Sequence, residues 1–146
     1  MDIRASCNVF IRKNHILVAS SAQTVAGIEL IVDPVFELSV NATTGEIGRA
    51  VLDSFAAYKV GVPDIGPDPA NMPNAILKAS GCRDWGQLDR TSLNIFLTGH
   101  SDAVTVIPTR RAVESGSTHL RDQSIKCEVS AESIGEAIRV ALKSCS

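Results

Sequence analysis

Apolar residues take every second place through much of the first forty positions. Cys7, Val9 and Ile11 alternate with Asn8, Phe10 and Arg12, and Ile28, Leu30 and Val32 alternate with Glu29, Ile31 and Asp33. A period of two in β-branched sequence predicts strands with one face on a core. Pro34 interrupts the second run, which predicts a bend or a place at a sheet edge, before Phe36, Leu38 and Val40 resume the alternation.

The period then lengthens. Ile47, Ala50, Val51, Phe55 and Tyr58 form a stripe at helical spacing, and Thr43 and Glu46 stand at the spacing of a capping box. Gly61 and Pro63 predict the end of this helix. Residues 61–74 carry four of the six prolines together with Asp64 and Asp68, which predicts an exposed, stiff loop. Such a loop suits a recognition surface and equally a plain linker. A short helix is expected over residues 75–80 with Gly81 capping it, then a turn at 83–88 that packs the only tryptophan, Trp85. Leu93, Ile95 and Leu97 predict a strand and Val104 and Val106 another, joined by a hairpin connection at 99–102. A polar stretch from Arg110 to Asp122 leads to a last strand at Ile125, Cys127 and Val129. Ile134, Ala137, Ile138, Ala141 and Leu142 predict a closing helix.

The two long helices open alike, Ile47-Gly48-Arg49-Ala50-Val51 matching Ile134-Gly135-Glu136-Ala137-Ile138. A glycine inside a helix costs up to about 1 kcal/mol relative to alanine. Using one twice at the same place predicts a close backbone approach, to a sheet or to the other helix. The expected architecture is α+β, a mostly antiparallel sheet with two related strand-turn-helix units packed on it. A length of 146 residues predicts a single domain over 1–146.

Charge narrows the partners. Fourteen Lys and Arg against sixteen Asp and Glu give a net charge of −2, so no basic field draws in nucleic acid. The first thirteen residues, MDIRASCNVFIRK, lack the apolar run of a secretory signal, and no stretch approaches the ~20 apolar residues that span a bilayer. The expectation is a soluble cytoplasmic protein that does not meet a membrane. Cys7, Cys82, Cys127 and Cys145 are scattered without metal-ligand spacing and read as reduced, small hydrophobes.

Several strings invite a catalytic reading. Gly99-His100-Ser101-Asp102-Ala103 resembles a nucleophile elbow, but strand rather than helix follows it, and adjacent His, Ser and Asp cannot converge as a triad. A hairpin turn is favoured, with a small serine hydrolase using Ser101 and either His15 or His119 kept as the alternative. No dinucleotide or phosphate loop occurs, and His15, His100 and His119 share no ligand spacing, so no cofactor or metal is expected. Arg110 and Arg111 read as phosphate holders or, preferentially, as a solvated strand edge. Asp64, Asp68, Asp84 and Asp89 read as solvated loop acids or as a face for a basic partner. Trp85 is favoured as a core anchor over an interface anchor.

A family resemblance rests on specific segments. The helix opening Glu46-Ile47-Gly48-Arg49-Ala50-Val51-Leu52 runs through Ser54 and Ala57 into Gly61-Val62-Pro63. Gly81-Cys82-Arg83-Asp84-Trp85 follows, then a strand pair ending in Pro108. The chain closes on Ser133-Ile134-Gly135-Glu136-Ala137-Ile138-Arg139 with Ala141-Leu142. In this order, over about residues 6–144, they resemble the CdiI immunity proteins of bacterial contact-dependent growth inhibition systems. The resemblance implies a cytoplasmic non-enzyme that binds and neutralises the C-terminal toxin domain of a cognate CdiA protein, commonly a nuclease. Because nucleases carry positive charge to hold phosphates, Asp64, Asp68, Asp84 and Asp89 become candidate toxin contacts, with Trp85 as anchor. An unrelated interaction module is the remaining alternative.

Overall fold

The computed structural model describes residues 3–111 and 117–146. Strands β1 (Ile3–Arg12), β2 (His15–Thr24) and β3 (Glu29–Ser39) precede helix α1 (Thr44–Ala56) and strand β4 (Lys59–Val62). Short helices α2 (Ala75–Ser80) and α3 (Trp85–Thr91) lead to β5 (Leu93–Ser101), β6 (Ala103–Arg111), β7 (Ser117–His119) and β8 (Ile125–Glu128), and α4 (Ala131–Leu142) follows. The middle of the polar stretch expected between the last strands, residues 112–116, lies outside the described residues.

The strands form one eight-stranded sheet in the order β3-β2-β1-β5-β6-β7, with β4 added beside β2 and β8 beside β6. Every pairing is antiparallel except β2 with β4. The α+β expectation therefore holds. So does the prediction for Pro34: β3 is an edge strand, and the register shifts where Ala19 faces Val35 but Ser20 faces Val32, leaving Asp33 and Pro34 between.

Alternation along the strands sends side chains to two faces. On one face Cys7, Val9, Val18, Ile95, Leu97, Val104 and Val106 pack under α1 and α4, meeting Ile47, Val51, Phe55, Ile134 and Ile138. On the other, Phe10, Leu17 and Ala19 meet Ile76, Cys82 and Leu88 of the α2–α3 region, with Trp85 against the edge of that smaller cluster.

The paired glycines face each other's helix, not the sheet. A Cβ on Gly48 would lie 1.7 Å from the Ala131 carbonyl oxygen, and one on Gly135 would lie 2.0 Å from that of Thr44. Each helix thus rests its glycine on the first turn of the other. Arg139 fastens the crossing, its guanidinium donating to Ala42 O (2.8 Å) and Thr44 Oγ1 (3.0 Å). The capping box forms as expected: Thr43 Oγ1 accepts from Glu46 N at 3.2 Å, and Glu46 Oε1 accepts from Thr43 N at 3.1 Å. Gly81 caps α2 in the left-handed conformation, φ 75°.

Other expectations shift. The helix stripe stops at Phe55, for α1 ends at Ala56 and Tyr58 lies beyond it. The chain there enters β4, a four-residue strand too short to show a period, so the proline-rich loop begins after Val62 instead of at Gly61. The hairpin connection is tighter than four residues, since His100 and Ala103 still pair and only Ser101 and Asp102 turn. The 83–88 turn is the start of α3, and β8 stops at Glu128, one residue before Val129.

Candidate functional site

The free end of the sheet is built from the β2–β3 hairpin, β4 and the proline-rich loop. Thr24 closes the hairpin, its backbone N–H reaching Ile28 O at 2.8 Å and its hydroxyl accepting from Ile28 N at 3.0 Å. The loop is tied against it where Val25 N donates to Val62 O (3.0 Å) and Ala26 N to Asp64 Oδ1 (3.1 Å). Between them runs a groove of about 690 Å³, floored by Leu30, Ile31, Ile65, Met72 and Trp85 and rimmed by Glu29 and Asp64. Four large apolar side chains stand exposed at this end, Val25 (73%), Ile28 (56%), Val60 (65%) and Met72 (42%). Scattered single apolar residues mean little, but a cluster beside an apolar groove marks an interaction surface.

Two of the five expected contact residues meet at this groove, Asp64 on its rim and Trp85 on its floor. Trp85 is half-buried against the smaller core, as expected of a core anchor, and also lines the groove. Asp68 is turned inward to its own loop, Oδ1 accepting from Ala70 N at 2.9 Å. Asp84 caps α3, accepting from Gln87 N at 2.8 Å, and Arg83 lies 3.4 Å from its other oxygen. The Gln87 N–H, and then the Arg83 charge, hold its carboxyl below the usual carboxylate range. Asp89 lies on α3, half-buried, and its carbonyl takes the Arg111 Nε at 3.0 Å. Arg111 also donates to Ser92 O at 3.0 Å, so this guanidinium closes the C-terminal end of α3.

A second concavity was not foreseen. β1 pairs with β2 only from Cys7 to Arg12, while β4 takes the place beside Ala22, Gln23 and Thr24. The sheet splits there, and Arg4, Ser6, Gln23, Glu29, Tyr58, Phe96, Thr98 and His100 line a cleft of about 480 Å³ in which no helical residue takes part. Arg4 faces His100 across the β1–β5 ladder, and Ser6 faces Thr98. Opposite them Tyr58 donates its hydroxyl to Glu29 Oε1 at 2.7 Å, and burial, then that carboxylate, pushes the phenol up to about 12. Ser6 is 4% exposed, and its Oγ is the one buried side-chain oxygen or nitrogen among the described residues with no hydrogen-bond partner. These residues come from separate strands and a post-helix turn. No local motif links them.

The groups of a serine hydrolase do not assemble. Ser101 Oγ lies 3.2 Å from His100 Nδ1, but both are exposed at the end of the β5–β6 hairpin. Ser101 pairs with Ile3 at one end of β1 and His15 with Arg12 at the other, a separation of about 30 Å at ~3.3 Å per residue. His15 instead meets Glu37 at 2.9 Å. His119 pairs with Thr109, six residues along β6 from the turn, and stacks on Phe96 at 4.9 Å. Burial, then the Arg121 charge, holds this imidazole below the usual histidine value. Among the described residues no three His, Cys, Asp or Glu side chains group to hold a metal, and all four cysteines are unpaired. Burial pushes the Cys7 thiol up to about 12, against a smaller opposing effect of Ser54.

No protein-family profile and no curated protein sequence matches the chain. Solved structures share its fold. A protein of unknown function from Neisseria meningitidis superposes with a TM-score of 0.80 at 14% identity, covering 100% of this chain and 96% of that one. A chain of the CdiA-CT/CdiI toxin and immunity complex from Yersinia pseudotuberculosis superposes with a TM-score of 0.77 at 15% identity, covering 97% of each.

Proposed function

We propose that this protein is an immunity protein, a stoichiometric inhibitor that binds the C-terminal toxin domain of a cognate CdiA protein. The observation that carries the reading is the fold likeness along 97% of the chain to a component of a toxin and immunity complex. The free end of the sheet supports it physically, because an exposed apolar groove floored by Trp85 and rimmed by carboxylates is a surface for a protein with basic character. In this reading the whole chain acts as one domain in the cytoplasm, and the toxin is a nuclease whose phosphate-binding surface supplies that basic character. Asp64 and Trp85 are the central contacts. Asp68, on the same loop, and Asp84 and Asp89, on the helix that carries Trp85, extend the acidic face. No described helix is long and apolar enough to cross a membrane.

Co-expression with the C-terminal domain of the CdiA protein that this reading expects to be encoded beside the chain tests it. The expected result is restored growth and a co-purifying one-to-one pair. Killing that continues with no complex formed overturns it.

A further inference from the structure

The cleft at the split of the sheet has a charge pattern unlike that of the acidic groove. One wall presents Arg4 and His100 side by side across the β1–β5 ladder, with the hydroxyls of Ser6 and Thr98 one pleat further in. The other wall presents Glu29, held in place by the Tyr58 hydroxyl. The Arg4 guanidinium makes no hydrogen bond or salt bridge to another described residue, its charge reaching Tyr58 across the cleft, and Ser6 Oγ is buried without a partner. A buried, unpartnered hydroxyl is costly unless something bonds to it. Glu29 lines both the cleft and the apolar groove, so the two adjoin at that side chain.

We infer that the cleft is a second subsite of the toxin-binding surface, taking a dipolar element of the partner: a carboxylate side chain for Arg4, His100 and Ser6, with a cationic side chain beside it for Glu29. The assignment rests on the immunity reading and sharpens it. A partner recognised only by opposite charge would meet acids everywhere on this surface. Here it must also bring an acid of its own, set next to a base and within reach of an apolar side chain lying in the Trp85 groove. Such alternation of sign discriminates among basic toxins that a uniformly acidic face would accept alike, because a partner with the wrong order puts like charges together.

The experiment measures Kd between the full chain and the adjacent toxin domain for the unaltered protein and for Arg4→Gln, Glu29→Gln, Ser6→Ala and Arg49→Gln. Arg4 and Glu29 are exposed, so their replacement leaves the fold intact, which thermal melting confirms. Arg49 lies on the exposed face of α1, on the opposite side of the sheet. Arg4→Gln and Glu29→Gln are each expected to weaken binding about tenfold or more, Ser6→Ala less, and Arg49→Gln not at all. If the unaltered protein forms no complex, the immunity reading fails and this assignment with it. If it binds, and Arg4→Gln and Glu29→Gln bind with unchanged Kd, the subsite alone is overturned.

Discussion

On the side of α1 and α4 the sheet is sealed, whereas on the side of α2 and α3 only part of it is covered. Under the long helices even the polar groups are matched, as where Ser54 Oγ donates to Ser20 Oγ at 3.2 Å inside the core. The short helices reach Phe10, Leu17 and Ala19 but leave Ser6, Phe96 and Thr98 to the open cleft. A folded sheet needs one well-covered face for stability, and the second face is then free to carry a binding surface. The asymmetry places the groove and the cleft, since both open where the second cover stops.

The sealed face is sharply intolerant of added volume at the helix crossing. Gly48→Ala and Gly135→Ala each place a methyl group on a carbonyl oxygen of the other helix, an obstacle that is backbone and cannot rotate away. Alanine's better helix propensity, worth about 1 kcal/mol, is overwhelmed. The expected loss is about 3 kcal/mol for either change, measured by urea denaturation. Gly86→Ala in α3 is the matched case on the open side, where the added carbon meets the tip of Arg90 at 3.0 Å, a flexible group that can yield, and Asp84 Oδ1 at 3.4 Å, an ordinary contact. It should be neutral or stabilising by up to about 1 kcal/mol. Equal losses at Gly48 and Gly86 would erase the contrast between the faces.

Much of the sealed face was legible in the chain and much of the open face was not. The 3.6-residue stripes from Ile47 and Ile134 and the capping box exposed α1 and α4, and the repeated Ile-Gly exposed a close backbone approach without deciding between the sheet and the other helix. β2 lies within the forty residues that read as strands, but its bounds stay unmarked because its residues are buried almost throughout, which removes the alternation that betrays a strand. β4 went unmarked because four residues, one a glycine at φ 77°, cannot show a period. Without those two strands the split of the sheet could not be anticipated, nor could the gathering of Arg4, Ser6, Glu29 and Tyr58. The acids were visible as residues, but not that Asp84 caps a helix or that Asp68 bonds within its own loop.

Asp84 and Trp85 separate structural from recognition roles on the open side. Trp85→Ala is expected to cost about 1–2 kcal/mol of stability, being half-buried, and to weaken the proposed toxin binding at least tenfold. Asp84→Ala should cost about 1 kcal/mol through loss of the cap. Asp84→Asn keeps an acceptor for Gln87 N and should hold stability within a few tenths of a kcal/mol, because asparagine caps as well as aspartate. Binding then reports charge alone. Calorimetric titration that finds Asp84→Asn unchanged in affinity removes this carboxylate from the proposed acidic face and leaves it a cap.

The smallest expected effect compares the caps of the two faces in acid. Glu46 at α1 has its carboxyl held below the usual range by the Thr43 N–H and hydroxyl, and Asp84 at α3 has its own held there by the Gln87 N–H, then by Arg83. In both cases the unfolded chain binds the proton more readily, so stability rises with pH. Each contribution is complete above the unfolded carboxyl pKa and disappears as the pH falls through the lower folded one. Both groups lie at the surface, so each effect is a modest slope in the urea midpoint confined to below about pH 5. Glu46→Gln and Asp84→Asn should each flatten part of that slope. Salt separates them: the share due to the Arg83 charge is screened at high ionic strength, whereas a slope set by backbone hydrogen bonds persists. The slope lost in Asp84→Asn should therefore shrink with added salt more than the slope lost in Glu46→Gln, and the reverse order would mean that Arg83 has no hold on the Asp84 carboxylate.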